Sequence, residues 1–244
     1  MKRITIFIVF CFFVFTGFGQ KGFMSLSMGA SIPVGDFAKS ENLYKNGFAE
    51  TNFVLNFDGA YFFTTYLGIG GTFSFGSNYG GGEDLQNKIK KEIPEILKEF
   101  PELSLPFEPE YNFNIGQWNY VNLMIGPQIS VLLNNIGLDF KVLGGLSFIT
   151  SPEREVTLQL TDGEFASSQE NRQLNFGCIL GSGFRFGVGR NTAIRLSADY
   201  FYSKSSFEIK NSYQTDGILT DLRNDKYKLP ITSVHVALGI AYNF

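Results

Sequence analysis

At 244 residues the chain can bury one all-β core without dividing, since barrels and sandwiches reach this size as single units. A formal net charge of −3, with no basic stripe, excludes the electrostatic footprint of a nucleic-acid partner. A mean hydropathy of +0.01 excludes a helical membrane protein and admits a barrel, because strands that alternate apolar and polar residues average to near zero. Phenylalanine and glycine stand at 27 each, which suits strands that face hydrocarbon on one side and a crowded interior on the other.

The start of the chain stands apart. Lys2 and Arg3 form a positive n-region, Ile4 to Phe15 is an apolar h-region, and Gly17-Phe18-Gly19 supplies small residues where a signal peptidase reads. This predicts an export signal over 1–19, cut after Gly19 or Gln20, and a mature domain over 20–244. The apolar run is short of the about 20 residues a spanning helix needs. Cleavage removes Cys11 and leaves Cys178 without a disulfide partner, in a compartment that would permit one.

Met24 to Ile32 alternates large apolar with small residues and predicts the first strand, ended by Pro33 and Gly35. A polar stretch through Asp36 and Asn46 follows. The second strand places Phe53, Leu55, Phe57, Gly59 and Tyr61 on one face and Val54, Asn56 and Asp58 on the other; after a turn at Thr64-Thr65, the third runs Leu67 to Phe75. Leu85, Ile89, Ile93, Ile96, Leu97 and Phe100 then recur at helical spacing behind a cap at Asp84, predicting an amphipathic helix. Pro94 should kink or split it, and Phe100 to Pro109 should be irregular. Strand four spans Trp118 to Leu133, with a bulge expected at Pro127. After Asn134-Asn135, strand five runs Ile136 to Phe148; a polar loop covers 150–172. Strand six (Leu174 to Val188) and strand seven (Ile194 to Tyr202) flank a turn at Gly189-Arg190-Asn191. A polar loop over 203–230 leads to the closing strand, which alternates from Val234 to Phe244.

Eight strands joined strictly by short, then long, connections predict an antiparallel up-and-down transmembrane β-barrel, with the short amphipathic helix in the second extracellular loop and both termini periplasmic. A Greek-key sandwich has no reason to sort its connections this way. Only helices and closed barrels satisfy every peptide group in hydrocarbon, and no segment after the signal is a spanning helix. Tyr61, Phe63, Tyr66, Tyr200, Tyr202, Tyr242 and Phe244, near strand ends, fit interfacial girdles.

The G-A-S-I-P-V-G-D-F segment from Gly29 to Phe37, the I-G-P-Q segment from Ile125 to Gln128 and the final A-Y-N-F resemble the small outer-membrane β-barrel proteins of Gram-negative bacteria. They more specifically resemble the PorT-like barrels common in Bacteroidota. The resemblance implies a cell outer membrane location, contact with lipid and lipopolysaccharide, and recognition of Phe244 by the outer-membrane insertion machinery. Family members include scaffolds and secretion-associated components, so an extracellular or secretion-system protein partner is a further expectation.

Eight-stranded barrels are just wide enough for side chains to fill. The inward set includes Asp58, Asp139, Lys141, Arg185, Arg195, Asp199 and His235, three acids against three permanent bases. Counted from the turns, Asp58 and Asp139 share a layer with Arg185 and Arg195, about four to six residues up, with Asp199 and His235 at about nine. Balanced charges should pair across the lumen and close it, which argues against a diffusion porin. His235, with Asp199, Ser197 and Ser233 near it, also admits a hydrolase reading. The reading preferred is an imidazole that hydrogen-bonds a carboxylate and fills space, since barrel enzymes act at an outer face or rim. One histidine and one mature cysteine argue against a transition-metal site, and Glu83, Asp84, Glu108 and Glu110 lack calcium-loop spacing; no cofactor is expected. The helix could lie on the lipopolysaccharide leaflet, contact a partner or fold over the barrel mouth; the last costs least, and the mixed charges weaken the first. The function expected is a non-enzymatic outer-membrane barrel with a filled lumen and structural or interaction-bearing loops. The alternatives are a narrow channel or secretion-associated component and a lipid-modifying barrel enzyme.

Overall fold

The computed structural model describes residues 21–100, 109–161, 163–169, 171–215 and 218–244. The expected export signal lies outside them, as does most of the Pro- and Glu-rich stretch before Glu110. Period-two alternation resolves into strands β1 (Lys21–Pro33), β2 (Asn52–Phe62), β3 (Leu67–Tyr79), β4 (Tyr111–Ile115), β5 (Gln117–Leu133), β6 (Ile136–Thr150), β7 (Arg154–Leu160), β8 (Gly163–Gln169), β9 (Arg172–Gly187), β10 (Thr192–Thr215) and β11 (Ile218–Asn243). Among the described residues one α-helix, α1 (Glu83–Leu97), lies between β3 and β4, and a 3-10 turn spans Gly35–Phe37.

Eight of these strands close a ring in the order β1, β2, β3, β5, β6, β9, β10, β11, with β11 pairing back onto β1 and every pairing antiparallel. Following cross-strand partners once around from Lys21, through Phe62, Gly68, Gln128, Lys141, Gly181, Asp199 and His235, returns to β1 at Ser31, ten residues from the start. For eight strands such a stagger goes with a tilt of about 35–45° and an interior that side chains fill. Closure leaves the ring no open edge, so its peptide groups are satisfied within it.

Short connections gather at one end, here the turn end: 63–66, 134–135 and 188–191. The opposite loop end is far more ordered than the sequence led us to expect. The polar loop expected over 150–172 forms the β7–β8 hairpin, because Val156, Leu158 and Leu160 alternate with Glu155, Thr157 and Gln159 and bury one face. The loop expected over 203–230 is a continuation of β10 and β11, which stay paired from Ser203 to Thr215 beyond the last contact with β9. At ~3.3 Å per residue this arm is about 40 Å long. Its β10 edge then pairs with β8, β8 with β7, and β7 with β4, giving a side sheet above the ring.

Three local expectations are corrected. No bulge occurs at Pro127: the β5–β6 register is the same on both sides, from Ile125↔Gly144 to Gln128↔Lys141, and the missing N–H is accommodated by a gap in the ladder rather than an extra residue. Asp84 is not the cap; α1 starts two residues earlier than such a cap implies, behind Gly82, and Asp84 instead accepts a hydrogen bond from Ser40 Oγ at 3.3 Å. Pro94 does not split α1, since it stands close to the C-terminal end, where little helix remains to be disrupted.

Candidate functional site

The site is the barrel interior and the cap above it. All seven sequence-predicted polar residues are buried inside the ring, because strand parity puts Asp58 on β2, Asp139 and Lys141 on β6, Arg185 on β9, Arg195 and Asp199 on β10 and His235 on β11 on the inward face. They form two ion clusters. In the first, Lys141 Nζ donates to Asp58 Oδ1 at 2.7 Å and to Thr72 Oγ1 at 3.2 Å, and lies 3.0 Å from Asp199 Oδ2. Arg195 closes the cluster by donating to Asp58 Oδ2 and, at 3.1 Å, to Ser25 Oγ. In the second, Arg185 forks onto Asp139 through Nε and Nη2, both at 2.8 Å, and also reaches Ser130 Oγ and Asn243 Oδ1. The Phe23 ring joins the clusters, with the Arg185 and Arg195 guanidinium carbons 4.1 Å and 5.3 Å from its centroid. A buried charge is tolerable only when paired and hydrogen-bonded, and each of these six is. Gly181 makes room for one contact: a Cβ there would collide with Asp199 Oδ1 and Lys141 Cε.

His235 differs from the expectation of a carboxylate partner. Asp199 is its cross-strand neighbour, but the Asp199 carboxylate turns to the full charge of Lys141. The imidazole Nε2 instead lies 2.8 Å from the Tyr120 hydroxyl, which is 2.6 Å from Ser31 Oγ; Ser31 Oγ donates to Asn78 Oδ1 at 2.9 Å. Ser197 and Ser233 make no hydrogen bond to the histidine. Tyr120, Phe201 and His235 stack with nearly parallel rings, centroids 5.1 to 5.9 Å apart, and Trp118 meets Phe37 and Phe207 edge-on. This aromatic layer lies on the loop-end side of the ions. At the turn end a cavity of about 720 Å³ opens below them, lined by Arg185, Asn243, Phe62 and Phe244 among others.

The cap is a second apolar core. Leu85, Ile89, Ile93, Ile96 and Leu97 of α1 pack on Val156, Leu158, Leu160 and Phe165 of the β7–β8 hairpin and on Leu43 and Phe48 of the first connection. Between cap and lumen, the Gly47 carbonyl accepts from Trp118 Nε1 at 3.0 Å and from Arg154 Nη2 at 3.2 Å. Burial pushes the Arg154 guanidinium below its ordinary pKa and the Tyr227 phenol above its own.

No family model matches this sequence, and no curated protein does. The solved structures do. The fold is similar to that of the outer membrane protein OprG from Pseudomonas aeruginosa, at a TM-score of 0.52 and 8% identity over 93% of this chain and 96% of that one. Ail, the attachment invasion locus protein of Yersinia pestis, overlaps at a TM-score of 0.38 and 16% identity, over 91% of this chain and 99% of that one. A major outer membrane protein from Thermus thermophilus does so at 0.45 and 10%, over 93% and 100%. The likeness to OprG supports the closed barrel and carries no function across.

Sequence reasoning overlooked Tyr120, the partner of His235, and Arg154. Tyr120 was legible: with Val121, Leu123 and Ile125 outward, Trp118, Tyr120, Asn122 and Met124 must face in. Gly76 opposite it is a second signal, since a Cβ there would run into the Tyr120 ring. Arg154 is hidden in the sequence because the polar outer face of its strand looks like loop.

Proposed function

We propose that this chain is a non-enzymatic integral outer-membrane β-barrel protein whose lumen is closed by its own side chains and whose cap is an outward-facing interaction surface. The observation that carries the reading is the inversion of faces. Outside the ring, Phe176, Ile240, Ile125 and Leu123 are each more than 60% exposed, whereas Asp58, Lys141, Arg195 and Asp199 inside are at most 3% exposed. An apolar band encircling a charged interior suits hydrocarbon around the barrel, and each ring strand has at least the 11 residues that a tilted crossing of about 9–11 residues requires. Exposed Tyr66, Tyr242 and Phe244 near the turn end suit an interfacial girdle.

In this reading the turn end and both termini face the periplasm, following the usual order of short inner turns and long outer loops, and α1 belongs to the second extracellular loop. The ring contacts outer-membrane lipid and lipopolysaccharide, Phe244 is read by the insertion machinery, and the cap meets an extracellular or secretion-system protein. The PorT-like relation rests on the sequence resemblance.

Two measurements test the proposal. The folded protein should migrate differently on a gel before and after boiling in detergent, and identical migration would rule out the membrane barrel. Reconstituted in a planar bilayer it should carry no sustained current; a steady conductance would replace the closed lumen with the narrow-channel alternative.

A further inference from the structure

We propose that the cap contains a binding site for a small monatomic anion, chloride in a chloride-bearing medium, held between Arg154 and Gln169 beneath α1. The two residues are cross-strand partners at the open ends of β7 and β8, so strand parity puts both side chains on one face. Each is at least nine-tenths buried, and both line a cavity of about 30 Å³ whose other walls include Ile89, Ile93 and Ile96 of α1.

The donors around that cavity are unbalanced. Arg154 uses Nη2 on the Gly47 carbonyl, its Nε has no partner, and it has no ion-pair partner among the described residues. The Phe48 and Trp118 rings, 5.9 Å and 6.0 Å from its guanidinium carbon, offset part of the desolvation without neutralising the charge. Gln169 Oε1 accepts from the Tyr227 hydroxyl at 3.1 Å. With Oε1 taken by that bond, Nε2 is left as the amide's donor, and it has no partner either. A full positive charge and two unpaired N–H groups on buried side chains that line one cavity select an anion over a cation. A volume a few times that needed for one water, about 10–15 Å³ on the same measure, admits a halide and not a tetrahedral oxyanion. The apolar walls strengthen the attraction by lowering the local dielectric. Ser167, Ser168 and Asn211 also border the cavity.

One internal competitor is present. Glu92 of α1 lines the same cavity, where its carboxylate is 3.6 Å from Lys88 and 31% exposed. Swung inward, it would supply the counter-charge itself.

The test has a structural and a solution arm, both on the folded mature protein. Crystals grown in bromide should show an anomalous peak within about 3.5 Å of the Arg154 and Gln169 side-chain nitrogens. A water or the Glu92 carboxylate there overturns the proposal. In detergent at constant ionic strength, proteolysis within 83–100 should be about tenfold slower in ~100 mM chloride than in gluconate, the factor expected for a ~10 mM Kd. That difference should survive Glu92→Gln and vanish in Gln169→Leu, with unchanged heat-modifiable migration reporting an intact barrel. Arg154→Gln provides a second variant should Gln169→Leu disturb the hairpin. Equal cleavage of the unmodified protein in the two salts, or a bromide peak at crystal concentration only, refutes the site.

Discussion

Lys141 is the ion whose removal tests the lumen's charge network most sharply. Its ammonium is bonded to Asp58 at 2.7 Å and lies 3.0 Å from Asp199, with all three side chains at most 3% exposed, so solvent screens neither contact. Lys141→Met keeps most of the volume and removes the charge. Asp58 keeps Arg195 and Thr72. Asp199 does not fare as well: its Oδ1 has no hydrogen-bond partner, and Lys141 is its ion-pair partner among the described residues. Breaking a buried pair by removing one member costs about 3–5 kcal/mol. Because one of the two acids retains a cation, the low end applies, about 3 kcal/mol, or roughly two orders of magnitude in the folding equilibrium. The chain has one tryptophan, Trp118, buried in the aromatic layer, and its fluorescence during urea titration of lipid-inserted protein reports the change directly. Adding Asp199→Asn should recover most of the loss, because it removes the stranded charge. A single variant that unfolds at the same urea concentration as the parent, or a double variant no better than the single, would refute the claim that this network stabilises the barrel.

Four further outcomes are expected. Leu85→Ala, at a fully buried position in α1, should destabilise the cap by about 2–5 kcal/mol, seen as faster proteolysis around α1 with heat-modifiable migration unchanged. In a double-mutant cycle, Asp139→Asn and Arg185→Gln should show coupling of at least about 1 kcal/mol, since their fork is two-pronged and buried; additive effects would contradict it. Burial raises the Tyr227 pKa above its ordinary 10.0, so the cap favours the neutral phenol: that stability is complete below about pH 10, is lost as pH rises through the higher folded value, and should make the cap protease-sensitive in alkali, a step that Tyr227→Phe abolishes. Deleting Phe244 should lower the amount of barrel inserted in cells, and undiminished insertion would count against its role as an assembly signal.

Much of the barrel was legible because a strand that meets unlike environments on its two faces must alternate with period two. The outward Met24, Leu26 and Met28 and the inward Ser25, Ser27 and Ser31 on β1 follow from parity alone, as does the membership of the inward charged set. The order of short and long connections added the topology. Where alternation met polar composition the reading failed. The sequences of β7, β8 and the upper arms of β10 and β11 carry Glu, Gln, Ser and Lys on their outer face, which looks like loop until the partner strand that covers the other face is known.

The amino-acid sequence by itself determined which way each ring residue points, since that depends only on the position of a residue within its own strand. It did not determine which inward groups meet, because a stagger of ten residues around the ring displaces axial heights by several residues from one side to the other. Only the tertiary structure gave Lys141 to both Asp58 and Asp199, left His235 to Tyr120, and placed Arg154 beside Gln169 under α1. Those pairings depend on long-range register and on the cap's own sheet, which no local pattern encodes.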